Sequence, residues 1–129
     1  MGTAATVTLT ATDFEQTVTG NDIVLVDFWA EWCGPCRRFG PVFEAVAEAN
    51  PDVVFGKVDT EEERRLSAAA GITSIPTLMA FRGGILVFAQ PGALPQPALE
   101  DLLSQVRALD MDQVRASVNA EANGSATGS

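Results

Sequence analysis

One apolar run most constrains how this chain can fold. Residues 23–30 are apolar at nearly every position, so both alternating faces of a strand formed here would be apolar. A strand of this kind lies inside a sheet that helices cover on both faces. Asp27 is the one carboxylate in the run, and we expect burial to raise its pKa and to let it take or return a proton. The alternative is that Asp27 points to solvent at a strand end.

The segments around this run alternate between strand and helix patterns. A short strand comes first, and a capping box of Thr12 and Glu15 is expected to open the first helix. Two glycines, Gly83 and Gly84, separate two apolar runs and predict a β-hairpin. The order predicts an α/β fold with a mixed sheet and helices on both faces. The further elements expected are helices at 35–50, 60–70 and 97–109, and strands at 53–59, 77–81 and 85–89.

Length and composition indicate one domain. The chain has 129 residues and 47% hydrophobic content, which suffices for a single core. We assign this domain to residues 1–109. After it, Asp110-Met111-Asp112 interrupts the apolar stripe of the last helix, and residues 121–129 are small and polar. We therefore expect residues 110–129 to form a C-terminal extension that is partly disordered.

Charge and residue types exclude several functions. The formal charge of −9 would repel a phosphate backbone, so nucleic acid is a poor partner. No apolar run approaches the roughly 18 residues needed to cross a membrane. The N-terminal residues lack the pattern of a secretory signal, so we expect a cytoplasmic protein, with a monomer as the default.

Both cysteines lie in one turn, Trp32-Cys33-Gly34-Pro35-Cys36, between the apolar run and a helix. A disulfide needs Cα atoms within about 7 Å, which the first turn of a helix provides. Pro35 suits such a helix start. Unpaired N–H groups at the helix N-terminus stabilise a thiolate, so we expect Cys33 to be the nucleophile. Cys36, about one turn further on, should be more shielded and should act second.

Other uses of a cysteine pair fit the sequence poorly. Zinc prefers four ligands, and the chain has no third cysteine and no histidine. A c-type haem site needs histidine where Arg37 stands, and a cysteine protease needs a histidine base. Thiol–disulfide exchange remains.

The stretch from Val26 to Cys36 resembles the active-site region of the thioredoxin family. The match covers roughly residues 6–109 and continues at Pro41, Lys57, Val58-Asp59, Gly71-Ile72, Ile75-Pro76-Thr77, Gly84 and Gly92-Ala93. This resemblance implies a thioredoxin fold and a protein-disulfide reductase without a bound cofactor. It also implies recharging by thioredoxin reductase at the expense of NADPH. The clients it implies include peroxiredoxins, ribonucleotide reductase and methionine sulfoxide reductase.

The resemblance also gives roles to residues outside the turn. It implies that Asp27 assists Cys36 and that Lys57 lies beside Asp27, although a surface lysine remains the alternative for Lys57. It implies a cis peptide bond before Pro76, with the backbone of Ile75 pairing with the substrate chain. Thr60 departs from the family pattern, which commonly has a larger apolar residue there.

A substrate-docking patch is expected around the cysteine turn. Trp32 precedes a reactive cysteine and is predicted to be a half-exposed platform rather than a core aromatic. The patch would comprise Trp32, Gly34, Pro35, Ile75, Pro76, Gly92 and Ala93. Arg37 and Arg38 could meet acidic partner surfaces or tune Cys33, and they could equally be solvated helix charges. Two alternative functions also stay open at this point: a docking subunit without redox activity, and a disulfide oxidase or isomerase.

Overall fold

The computed structural model describes the backbone of residues 5–127 and the side-chain surroundings of residues 5–120. It contains a five-stranded sheet in the order β1-β3-β2-β4-β5. β1 and β2 run parallel to β3, whereas β4 runs antiparallel to both β2 and β5. This mixed sheet confirms the predicted α/β architecture. The strands are β1 (Val7–Thr8), β2 (Ile23–Trp29), β3 (Val54–Asp59), β4 (Thr77–Arg82) and β5 (Ile85–Pro91). The helices are α1 (Phe14–Gly20), α2 (Gly34–Ala49), α3 (Arg64–Ala69), α4 (Gln96–Arg107) and α5 (Met111–Thr127).

The apolar run forms the central strand, β2, and separates two cores. Leu25 packs in a cluster with residues of α2 and α4, such as Phe43 and Leu99. Val24, Val26 and Phe28 pack in a second cluster on the opposite face of the sheet. Because side chains alternate along a strand, Asp27 shares the face of Leu25, which is the face covered by α2. The strand that fills both cores therefore also delivers a carboxylate beneath α2.

Two helix starts differ from the sequence predictions. α1 begins at Phe14 with Asp13 as its N-cap, and the carboxylate of Asp13 accepts a hydrogen bond from the backbone N–H of Thr10 at 2.7 Å. The predicted capping box at Thr12 is therefore wrong, because a turn from Thr10 to Asp13 precedes the helix. α3 begins at Arg64, since Asp59 accepts hydrogen bonds from the backbone N–H groups of residues 61 and 62 and holds this segment as a turn.

The C-terminal extension also differs from expectation, because its backbone forms α5. Asp110, which was expected to interrupt the helical pattern, starts a new helix instead. Its Oδ1 accepts hydrogen bonds from the backbone N–H groups of Asp112 at 3.1 Å and Gln113 at 3.2 Å. Aspartate is favoured at the N-cap of a helix because its carboxylate accepts such hydrogen bonds. Residues 128 and 129 lie outside the described part of the chain.

The hairpin of β4 and β5 is confirmed. Its turn residues, Gly83 and Gly84, have φ angles of +59° and +81°, which glycine adopts without steric cost. Among the described residues, no helix combines the length and apolar character that crossing a membrane requires.

Candidate active site

The two cysteines lie where β2 ends and α2 begins. Cys33 is the N-cap of α2, in an extended conformation, and Gly34 and Pro35 are the first two helical residues. Pro35 thus occupies the second helical position, where its missing N–H would also lack an intrahelical partner. Cys33 and Cys36 form a disulfide with a Cα–Cα distance of 5.2 Å. The helix start brings the two cysteines together as the sequence predicted.

The backbone around the disulfide is arranged to stabilise charge on Cys33. The N–H of Cys36 donates a hydrogen bond to Cys33 Sγ at 3.2 Å. The N-terminus of α2 adds the positive end of its dipole at the same sulfur. The expected difference in shielding is not found in this disulfide form, because Cys33 is 4% exposed and Cys36 is 3% exposed. Both side chains pack with Ala30, Trp29 and Ile75.

Asp27 is fully buried, which confirms the predicted burial of this carboxylate and excludes the alternative that it points to solvent. Neither of its carboxylate oxygens has a hydrogen-bond partner among the described residues. Burial raises the pKa of Asp27 to about 7, and the positive charge of Lys57 opposes this shift. Asp27 can therefore gain or lose a proton near neutral pH.

Lys57 lies beside Asp27, as the resemblance implied. The two residues are register partners in the parallel pair of β2 and β3. Lys57 is half-buried, and its Nζ lies 4.9 Å from the ring centroid of Trp29. The same Nζ is 3.8 Å from the point that a Cβ on Gly40 of α2 would occupy. The ammonium group therefore lies between Trp29 and α2, and within the described residues it makes no ion pair with Asp27.

Ile75 and Pro76 face the disulfide from the loop before β4. Their peptide bond is cis, and the carbonyl oxygen of Ile75 lies 3.7 Å from Cys33 Sγ. The N–H of Gly92 donates to the carbonyl of Pro76 at 2.8 Å. Pro76 is buried, so it forms part of the floor beneath the patch rather than its surface. The structure thus joins three segments that are far apart in sequence.

A groove of about 520 Å³ lies beside the cysteine turn. Trp32 borders it, is 69% exposed, and donates a hydrogen bond from its indole N–H to Glu61 Oε2 at 3.3 Å. This exposure confirms that Trp32 is not a core residue. The groove is also lined by Thr60, Glu61, Arg64, Ser67, Ala68, Ile72, Thr73, Ser74 and Ile75.

The groove and the predicted docking patch overlap only in part. Trp32 and Ile75 line the groove, whereas Gly34, Pro35, Gly92 and Ala93 are exposed without lining it. Sequence reasoning missed Glu61 and Arg64, which form an ion pair at 3.0 Å on the groove wall. Residues 61–65 are three glutamates followed by two arginines, so the sequence does not distinguish Glu61 and Arg64 from their neighbours. The turn before α3 determines which of these side chains line the groove.

These features together define a class of protein. A disulfide at a helix N-terminus, beside a backbone carbonyl and at the end of a strand that carries a buried titratable carboxylate, can exchange with a disulfide of another molecule. Within the described residues, no group of three or more histidine, cysteine or acidic side chains could hold a metal ion. The site is that of a thiol–disulfide oxidoreductase.

Comparison with known proteins identifies the family. The family model of thioredoxin matches residues 5–105. A Streptomyces coelicolor protein assigned as thioredoxin 2 is 64% identical over 114 residues, covering 88% of this chain and 85% of that protein. A thioredoxin of Alicyclobacillus acidocaldarius is 47% identical over 103 residues, covering 79% of this chain and 98% of that protein.

Solved structures agree with the sequence relatives. An N21Q mutant thioredoxin from Halobacterium salinarum superposes with a TM-score of 0.75 at 33% identity, covering 84% of this chain and 97% of that chain. Mitochondrial thioredoxin 3 from Saccharomyces cerevisiae, in its oxidised form, gives a TM-score of 0.72 at 32% identity, covering 78% and 95%. The chain belongs to the thioredoxin family and is a protein-disulfide reductase that works by dithiol–disulfide exchange.

Proposed function

We propose that Cys33 is the attacking residue and Cys36 the resolving residue of this reductase. In the reduced protein, the Cys33 thiolate attacks one sulfur of a client disulfide. A bond forms between Cys33 and that sulfur, the client disulfide breaks, and the other client sulfur leaves as a thiolate. The observation that carries this assignment is the hydrogen bond from the Cys36 N–H to Cys33 Sγ, which favours negative charge on Cys33.

The second step returns the pair to its disulfide form. Cys36 loses its thiol proton to the Asp27 carboxylate and attacks Cys33 Sγ. The Cys33–Cys36 bond forms, the mixed disulfide breaks, and the second client sulfur leaves as a thiolate, which solvent protonates. Two electrons have then passed from the protein to the client. Asp27 suits this transfer because its pKa of about 7 leaves a large fraction ionised at neutral pH.

Lys57 is proposed to adjust this proton transfer without touching the reacting sulfurs. Its positive charge lowers the pKa of Asp27 and so opposes the effect of burial. Without Lys57, Asp27 would stay protonated to a higher pH and would accept the Cys36 proton less readily. Lys57 therefore acts through Asp27, by lowering the pKa of its carboxyl group.

Client chains are proposed to dock across the cysteine turn. The half-buried Ile75 offers its backbone to an extended client segment, and Trp32 offers an exposed apolar surface. The surrounding contacts would come from Gly34, Pro35, Gly92 and Ala93, above the floor formed by Pro76. An extended client segment can pair with the backbone of Ile75 through main-chain hydrogen bonds. Because these bonds do not depend on side chains, clients of different sequence can dock in the same way.

The protein is proposed to work as a cytoplasmic monomer that thioredoxin reductase recharges with electrons from NADPH. Its proposed clients are peroxiredoxins, ribonucleotide reductase and methionine sulfoxide reductase. Membership of the family supports the reductase as a partner. A fold neighbour at 32% identity comes from a study of how a yeast mitochondrial 1-Cys peroxiredoxin is resolved through glutathione and thioredoxin systems, which supports the first client class.

The assignment of the two cysteines can be tested by insulin reduction with dithiothreitol as electron source. The wild-type protein is expected to accelerate insulin precipitation, and Cys33→Ser to abolish the acceleration. In a cell extract, Cys36→Ser is expected to retain clients covalently, because the mixed disulfide cannot be resolved. Full activity of Cys33→Ser would refute the assignment. Equal retention of the same clients by the double serine variant would instead indicate docking without redox exchange.

A further inference from the structure

The charged residues on the two sides of the disulfide differ in how they are paired. On the Trp32 side, Glu61 binds both the indole N–H of Trp32 and the guanidinium group of Arg64, and Glu31 is exposed nearby in sequence. On the α2 side, Arg37 and Arg38 follow Cys36 directly, and both are exposed. A client that crosses the disulfide therefore meets the Glu61–Arg64 ion pair on one side and the exposed guanidinium groups of Arg37 and Arg38 on the other.

Arg38 lies close to the residue between the two cysteines. Its Nη1 is 3.6 Å from the point that a Cβ on Gly34 would occupy. The guanidinium group therefore reaches back along α2 toward the exposed surface of Gly34. Because Gly34 has no side chain, a client segment can approach this surface closely.

The guanidinium group of Arg38 is free to bind a partner. Within the described part of the chain, four of the arginines form ion pairs: Arg64, Arg82, Arg107 and Arg115. Arg37, Arg38 and Arg65 form none there. The Nη1 atom of Arg38 lies beside Gly34, the residue that directly follows Cys33.

We propose that Arg38 selects clients that carry a carboxylate within about two residues of the attacked cysteine. This inference rests on the proposed exchange at Cys33 and names a substrate class for it. A client aspartate or glutamate that passes over Gly34 would accept hydrogen bonds from the Arg38 guanidinium group, which matches carboxylate geometry. The chain as a whole has a net charge of −9 and repels acidic segments, so Arg38 provides a local exception that fixes where the client carboxylate lies.

The test uses two disulfide peptides that differ only in having glutamate or glutamine two residues from the attacked cysteine. Each rate is divided by the rate with dithiothreitol alone, which removes the effect of the substitution on intrinsic reactivity. Wild-type kcat/KM is expected to favour the glutamate peptide by about two- to fivefold, as for an exposed ion pair. This preference should fall toward one in about 0.5 M salt, where screening is strong.

Variants identify the residue responsible. Arg38→Gln is expected to abolish the preference, whereas Arg65→Gln, which removes the same charge from an exposed position on α3, should preserve it. Arg38→Glu should favour a third peptide that carries lysine at the varied position. Any change in the reactivity of Cys33 itself affects all peptides alike and cancels in the ratio.

The inference would be overturned by a wild-type ratio of one, by a preference that survives in Arg38→Gln, or by an equal loss of preference in Arg38→Gln and Arg65→Gln. Failure to reduce even the glutamine peptide would refute the proposed exchange at Cys33, and the selection by Arg38 would fall with it. Reduction of both peptides at equal rates would refute the role of Arg38 alone.

Discussion

Replacing Asp27 by asparagine should make the stability of the protein less dependent on pH. Asparagine has nearly the shape of a protonated aspartic acid but cannot ionise. In the wild type, the pKa of Asp27 is raised from 3.8 to about 7 by burial, and its carboxylate oxygens have no hydrogen-bond partner among the described residues. At alkaline pH, Asp27 is ionised in water in the unfolded chain. Folding must then either bury the charged carboxylate or bind a proton, and both cost free energy.

The size of the effect follows from the difference between the two pKa values. Below about pH 4, Asp27 is protonated in both the folded and the unfolded state, so its burial adds no pH-dependent cost. Between pH 4 and 7, the unfolded state loses its proton first, and the folded state becomes less stable as the pH rises. Above pH 7, the cost is constant at about 4 kcal/mol, because each unit of pKa shift is worth about 1.4 kcal/mol. By the same relation, roughly 1–2 kcal/mol of this cost is already present at pH 5.

Urea unfolding of the oxidised protein at pH 5 and pH 9 measures this cost. The free energy of unfolding of Asp27→Asn, relative to wild type, should rise by about 3 kcal/mol between the two pH values. Glu48→Gln makes the same chemical change at an exposed position of α2 and should show no such rise. An Asp27→Asn difference that stays the same at both pH values would refute the reasoning, because a buried group with a raised pKa must produce one.

Three further substitutions or deletions test the groove, the core and the extension. Glu61→Ala should raise the KM for insulin about two- to threefold at unchanged kcat, because Trp32 loses its hydrogen bond; a change in kcat alone would contradict this. Leu99→Ala should lower the free energy of unfolding by about 3 kcal/mol in urea, because it leaves a cavity between α4 and the sheet. Deleting residues 111–129 should lower the free energy of unfolding by about 1–2 kcal/mol, because it removes the partly buried side chains of Met111 and Val114. Insulin reduction should be unaffected by this deletion, because the described side chains of α5 pack against the hairpin near Gly83, away from the cysteine turn.

The parts of the site that residue patterns alone predicted share one property: the pattern that indicates them is local. The positions of Lys57, Ile75 and Pro76 came instead from the resemblance to the thioredoxin family. The apolar run of β2 predicts its central position, and a single carboxylate within that run predicts the buried Asp27. Two cysteines followed by a helical pattern predict the disulfide at the start of α2. In each case the residues that establish the structure are adjacent in the chain, so periodicity and spacing suffice.

The parts that the sequence did not predict depend on which side-chain oxygen meets which backbone N–H. Asp13 and Asp59 both form turns before a helix, and Asp110 caps one. Thr12, Thr60 and Asp112 are equally good candidates in sequence, because their side chains also accept hydrogen bonds. The position of Glu61 against Trp32 follows from the turn at Asp59 together with the register of β2 and β3, which joins residues far apart in the chain.

The position of Asp27 shows that the site works against the stability of the fold. An uncharged residue of the same size at this position would avoid the cost of a buried charge. The cost is largest above pH 7, where an ionised Asp27 is also most able to accept a proton from Cys36. The carboxylate lies on the sheet face that the apolar side chains of α2 cover, and the disulfide is buried in a separate cluster with Ala30, Trp29 and Ile75. Removing the cost by substitution should therefore also remove the proton acceptor, so that a more stable Asp27 variant resolves its mixed disulfides more slowly.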